Sequence, residues 1–335
     1  MLNEVPDADR REASVGGADY LPPMRRKRIG VAIAVGAAFG VLTYALLRAR
    51  GPSIQGADFT YPWLAARAIL HRQNPYDVIS PVDVPFGGRF LYPWTASIVA
   101  VPFAWLDSAV GGALMAAITV GLAVFAVTRE HWWRLLMFVS GPAYMIVSSV
   151  QWSGLLVAAS EFPALIGIAG AIKPFAIASL AYQRRRRDVL RAVAVGVPIL
   201  ALSLILAPRW PLDWLHTMQA SPPGHQYETP LLRWTGLPVV LALTRWRRPE
   251  ARLLFCMAAL PQTMFLYDQV LVFLIPRSRV EMLVAVVLSL LVLLLPAIIF
   301  DQSTSTSLSR AYVPLMNCGI YWPALVMVLR RPNVV

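Results

Sequence analysis

Charge is scarce in this chain. Asp, Glu, Lys and Arg make up 14% of its 335 residues, and lysine occurs only twice, as Lys27 and Lys173. Cysteine is as rare: Cys256 and Cys318 sit in apolar stretches without CxxC spacing, which excludes a disulfide framework and a cysteine metal site. No GxxxxGK[ST], HExxH, GxSxG or dinucleotide fingerprint is present, so nothing supports a nucleotide-binding or zinc enzyme. Internal repeats and a Gly/Ser linker are also missing, so no second domain is marked off.

What remains is apolar. Hydrophobic residues reach 57% and the mean hydropathy is +0.58, far from the mix of a water-soluble domain. A crossing takes roughly 20 residues, and the chain offers about nine to eleven spanning or half-spanning helices. The apolar runs are Ile29 to Leu47, Phe90 to Leu106, Ala109 to Val127, Leu135 to Val150, Val189 to Ala207, Leu231 to Leu243, Val280 to Phe300 and Tyr312 to Leu329. The expected fold is therefore all-α and polytopic, with a disordered cytoplasmic tail over 1–24 and one membrane domain over 25–335.

A net charge of +12 would suggest nucleic acid in a soluble protein. Here the basic residues gather between apolar runs, at Arg25 to Arg28, Arg184 to Arg187, Arg245 to Arg252, Arg277 to Arg279 and Arg330-Arg331. That is the positive-inside pattern, and membrane lipids rather than nucleic acid are the expected surroundings. The stretches Gly154 to Tyr182 and Leu253 to Ile275 are interrupted by Glu161-Phe162-Pro163, Pro261 and Tyr267-Asp268-Gln269. Reading each as two short segments that dip in and return keeps every strong basic cluster on the inner side. Broken helices at membrane depth need protein or a watery cavity around them, so both stretches are candidate sites. The outer side then carries Ala49 to Arg89, Pro208 to Pro230, the Tyr267–Gln269 corner and Asp301 to Arg310. The N-terminus is expected inside, and the membrane is expected to be the inner, or plasma, membrane.

Asp58 follows the first run directly and precedes a short amphipathic stretch with Leu64, Ala68 and Ile69 on one face. A carboxylate there sits at the interface. The plain alternative is a cap on a helix beginning near Tyr61. Lys173 lies inside an apolar run, where a cation is expensive and is by default a functional-site hypothesis. Its plain alternative is snorkelling toward the inner interface. Trp63, Trp94, Trp152, Trp210 and Trp214 lie near run ends, where indoles anchor.

Asp58-Phe59 with Ala65-Ala66-Arg67, then Asn74-Pro75-Tyr76-Asp77, then Leu91-Tyr92-Pro93, resembles the polyprenol-phosphate-mannose-dependent mannosyltransferases of glycosyltransferase family 87. Gln151 with Gly154, and Gly167, Gly170 and Ala171-Ile172-Lys173-Pro174 ahead of Arg184 to Arg187, look like that family's Gly-Gln/Asn segment and Lys-Pro helix. The resemblance runs in order from about Asp58 to Asp188 and more faintly to Ile275. It implies a C-type glycosyltransferase fold with interfacial helices in the first outer loop, and Asp58 as general base on an acceptor hydroxyl. The reaction it implies moves a hexose, mannose by the family's habit, with inversion, from a polyprenyl phosphate to a lipid or glycan acceptor. The donor is lipid-borne and no metal or other cofactor is called for. Lys173 is the candidate for the donor phosphate. Further candidates for phosphate or sugar are Arg67, Asn74, Tyr76, Asp77, His216, His225, Gln262, Tyr267 and Asp268. Gln262 stands where the family commonly has the His of Ser-Pro-His. Three alternatives stay open: a polytopic transporter, a lipid-handling protein, and a family member without activity.

Overall fold

A computed structural model describes residues 21–51, 56–85, 88–183, 185–220, 228–262, 266–299 and 312–333. The tail expected to be disordered lies almost wholly outside them, and helix α1 already begins at Leu21. The described residues form helices joined by turns and loops, and the single antiparallel bridge among them, between Glu228 and Gln262, joins no strands.

Among the described residues, five helices are long and apolar enough to cross a bilayer. These are α1 (Leu21–Arg50, its apolar span Met24–Arg50), α5 (Ser108–Val127), α10 (Arg186–Leu206), α13 (Arg279–Ile299) and α14 (Tyr312–Leu329). The other apolar runs form shorter pieces, so the expected mixture of spanning and half-spanning helices takes the form of five long helices with short segments between them among the described residues. Leu135 to Val150 breaks into tight 3-10 turns over Trp132–Val139 and helix α6 (Gly141–Ser149), and Leu231 to Leu243 gives way to 3-10 turns over Leu237–Arg245. Pro142 and Pro238 stand in the first turns of these pieces, where the missing N–H removes no helical bond.

Close approach of backbones sets the frame. A Cβ on Gly36 of α1 would lie 2.6 Å from the Ala117 carbonyl oxygen of α5, the small-residue contact that lets membrane helices pack without a hydrophobic drive. By contrast, α10 exposes Val193, Val197, Leu200, Ile205 and Leu206, an apolar face suited to lipid.

Short helices fill the middle. They are α4 (Trp94–Ala100), α7 (Ser153–Ala159), α8 (Ala164–Ile172), α9 (Ile177–Tyr182) and α12 (Pro249–Ala259), with 3-10 turns over Tyr267–Leu274. A seven-residue helix rises only about 10 Å at 1.5 Å per residue, so none of these crosses alone. One end of the molecule collects several arginines. Arg129 pairs with Glu161, Arg277 with Glu250 and Arg331 with Glu281 at 2.6 Å, while Arg252 donates to the carbonyls of Ala181 and Gln183 at 2.9 and 3.0 Å. The other end carries α2 (Thr60–Leu70), α3 (Pro75–Val78), the start of α5 and α11 (Trp210–Gln219). There Trp214 donates to the Leu91 carbonyl at 2.9 Å and Asn74 to Asp213 at 3.1 Å. The first loop and the segment after α10 thus share one end, and the arginine clusters take the opposite one.

Candidate functional site

Four breaks in the helical framework bring polar side chains together. Asp58 sits in a 3-10 turn (Ala57–Phe59) just ahead of α2. Gln151 follows α6, Lys173 closes α8 in extended conformation (φ −138°, ψ 120°), and Asp268 opens the Tyr267–Leu274 turns. Pro174 accounts for the break at Lys173, because a following proline disfavours the helical region.

The contacts form a chain. The Gln151 side-chain amide donates to the Asp58 carboxylate, and its Oε1 accepts from the Lys173 ammonium at 2.5 Å. Lys173 Nζ also lies 3.5 Å from Asp268 Oδ1 and 4.2 Å from the centre of the Tyr267 ring. Ser153 Oγ donates to the same Asp268 oxygen at 2.7 Å. Gln151, Ser153 and Asp268 are buried, and Asp58 keeps partial access to solvent.

Asp58 does not cap a helix: neither the turn it lies in nor α2 has a side-chain cap bond. Burial pushes its carboxyl up to about 6; the Lys173 charge and the Gln151 hydrogen bond act against that rise, and the Asp268 charge adds to it. Lys173 does not snorkel. Its side chain is 15% exposed and turned to Asp268 and Gln151 rather than along the chain toward the arginine end.

The backbone is strained at the same places. Among the described residues, four other than glycine have positive φ: Ala57 (49°), Arg72 (58°), Val150 (53°) and Leu266 (62°). Three of the four directly precede Asp58, Gln151 and Tyr267-Asp268. Left-handed conformation in a β-branched or bulky residue is an outlier that persists only when its surroundings over-determine it, and such outliers gather at working sites.

The remaining candidates lie apart. Asn74 caps α3 and donates to Asp77 at 3.0 Å and to Asp213 at 3.1 Å, so Asn74 fastens α3 to α11. The Tyr76 hydroxyl donates to the Tyr92 carbonyl at 3.0 Å and the ring packs on Phe90. Arg67 is exposed and stacks over Trp63 at 4.8 Å. His216 is exposed on α11, and His225 lies outside the described residues. Gln262 is spent internally: its amide donates to the Met257 carbonyl at 2.7 Å, and its oxygen accepts from Tyr321 at 3.0 Å and from Gln269. A cavity of about 520 Å³ opens apart from this cluster, between α2 and the turn before α5.

Sequence reasoning passed over Ser153 as a site residue and gave Gln151 only a place in a motif. A polar signal was present for Gln151, an amide between Val150 and Trp152 in an apolar run. Ser153 carried none, because serine is common in such helices. Set against protein-family profiles, curated proteins and solved structures, the chain matches none of them.

Proposed function

We propose that this membrane-embedded protein is a hexosyltransferase of the polyprenyl-phosphate-dependent kind, with mannose as the sugar and Asp58 as general base. The observation that carries the reading is the convergence of Asp58, Gln151, Lys173 and Asp268 from four separate segments. The first three lie within the motifs that resemble family 87, and Asp268 lies on its fainter continuation.

In this reading the acceptor hydroxyl oxygen attacks the anomeric carbon of the donor, and its proton passes to Asp58. The bond from that carbon to the phosphate oxygen breaks, and the polyprenyl phosphate leaves with the electron pair. One displacement inverts the centre and needs one base. A carboxyl lifted to about 6 is ionised at neutral pH yet more basic than an ordinary Asp, which suits that role. Lys173 serves the leaving phosphate: its contact to Asp268 is long for a charge-assisted bond, so the ammonium exchanges that partner for phosphate when the donor arrives. Asp268 keeps the cation paired in the empty site, since a buried unpaired charge is costly. Gln151 holds Asp58 and Lys173 in register. The acceptor is a lipid or glycan, and the reaction belongs to the face opposite the arginine clusters, the non-cytoplasmic face by the positive-inside rule.

The test is transfer from a polyprenyl-phosphate-linked mannose by purified protein. Asp58→Asn keeps the shape and the Gln151 neighbour but removes the base, and is expected to abolish transfer while the protein stays folded in detergent. Transfer near the wild-type rate would sink the mechanism.

A second reading is a proton-coupled transporter, favoured by one observation: two carboxylates and a lysine linked between broken helices. Reconstituted vesicles under a pH gradient separate the two, because a transporter moves solute across the bilayer and Asp58→Asn uncouples it from protons.

A further inference from the structure

The cavity of about 520 Å³ belongs to neither chain of contacts described above. Its walls include Trp63, Arg67 and His71 of α2 and its end, with Trp105 and Asp107 from the turn before α5, and Leu70 supplies apolar surface. Its level is fixed by two spans: α5 starts at Ser108, next to Asp107, and Arg48 at the end of α1 lies 4.0 Å from Asp107. A ligand there sits where helices leave the bilayer, at the depth of lipid headgroups. Trp105, 74% exposed, offers the amphipathic ring typical of that depth.

The charge in the groove is unbalanced. Asp107 is occupied, since it caps α5 through the amides of Ala109 and Val110 and faces Arg48. Among the described residues Arg67 has no carboxylate partner. Its guanidinium lies over Trp63, whose indole N–H is tied to the Leu106 carbonyl at 3.1 Å, so the ring is a fixed platform. Stacking by its face leaves the edge of the guanidinium, with its forked donors, open to the cavity. His71 points Nδ1 at the Arg67 carbonyl at 2.8 Å. A carbonyl only accepts, so Nδ1 carries the proton, and this bond fixes the ring as a wall of the groove.

We infer that this groove binds the phosphate of a lipid, with Arg67 as the bidentate donor, His71 beside it, and the lipid's hydrocarbon against Leu70 and Trp105. A free sugar would leave the Arg67 charge unmatched, and a phosphate without its chain would leave Leu70 and Trp105 uncovered. The inference stands apart from the role given to Asp58, because no residue of that cluster lines the groove.

Binding of individual lipids to the full chain in neutral detergent, followed by native mass spectrometry, tests it. The probes are a phosphatidate, farnesyl phosphate, inorganic phosphate and an uncharged diacylglycerol. Both lipid phosphates are expected to bind saturably, and Arg67→Gln to weaken the phosphatidate by roughly tenfold or more, the scale of one lost charge-assisted fork. Asp58→Asn and Lys173→Met should leave phosphatidate binding unchanged, so failure here and failure of the transferase reading are separate results. Trp105→Ala, at an exposed position that folding does not depend on, should weaken both lipids. Greater loss for farnesyl phosphate than for phosphatidate in Arg67→Gln would identify a polyprenyl phosphate as the occupant, and equal loss a membrane phospholipid. Wild-type affinity in Arg67→Gln, diacylglycerol binding as tight as phosphatidate, or inorganic phosphate binding as tight as either lipid would overturn the inference.

Discussion

At the residue scale, the carboxyl of Asp58 couples stability to activity. Its ordinary value lies near 4 and the folded value is about 6, so the folded state holds the proton more tightly than the unfolded one. The stability from this group is fully present below about pH 4 and is lost as pH rises through about 6. At neutral pH the ionised, half-buried carboxylate is therefore a cost, on the order of 3 kcal/mol. Asp58→Asn is expected to raise the thermal midpoint at pH 7.5 and to change it little at pH 3.5, and a melt at both values checks this. The acid limb of the transfer rate should rise through about 6 in the wild type. Lys173 holds the Asp58 carboxyl down and Asp268 holds it up, so Lys173→Met should move the limb to higher pH and Asp268→Asn to lower pH among whatever activity each retains. A limb that stays put in both variants means that the titrating group is not Asp58. Ala57 gives a backbone counterpart. Its φ of 49° is strained with a Cβ and free of strain for glycine, so Ala57→Gly should stabilise by up to about 1 kcal/mol. It should also lower transfer by loosening the turn that presents Asp58.

At the element scale, the site depends on helices that stop short. The extended residue at the end of α8 is what lets Lys173 turn toward Gln151, and α8 is seated by Gly167 against α10. A Cβ there would lie 2.4 Å from the Ala192 carbonyl oxygen and 2.6 Å from the Gly196 nitrogen, both backbone atoms that cannot swing aside. Gly167→Val is thus expected to push α8 off α10 and displace Lys173, with a loss of donor affinity although no site residue has changed. Donor binding equal to wild type would show that α8 does not set the position of Lys173. A π turn at Asn317–Tyr321 in α14 places Tyr321 on Gln262, and Gln269 joins the same group. That network braces the chain on both sides of Tyr267-Asp268, which gives Gln262 a structural task where the resemblance implied contact with substrate.

For the whole molecule, the arginine clusters at one end and the first loop with α11 at the other are the main architectural feature. With Cys256 and Cys318 replaced by serine, a single cysteine at Leu70 and another at Arg247 should be labelled from opposite sides of sealed vesicles by a membrane-impermeant maleimide. Labelling of both from one side would undo the assignment of Asp58 to the face opposite the arginines.

Much of this was legible in the sequence because it rests on composition and period. A chain with so little charge must solve its backbone hydrogen bonds within helices, and arginines grouped between apolar runs must gather at one end. A lone lysine or aspartate beside apolar runs is conspicuous for the same energetic reason, and Asp58, Lys173 and Asp268 stood out on that ground. The number of long helices was less legible: an apolar run scores alike whether it crosses whole or breaks at a proline into pieces such as α6 and the turns before it. The partners of each polar group were not legible at all. Gln151 bridges Asp58 and Lys173, and Ser153 holds Asp268, because left-handed turns at Ala57, Val150 and Leu266 aim those segments inward. No local preference announces such turns in alanine, valine or leucine, since only the packing of the surrounding helices makes them the lower-energy choice. The sequence by itself determined that this protein is all-helical, apolar and polarised. Tertiary structure alone decided which of its few charges meet, because that depends on where neighbouring helices stop.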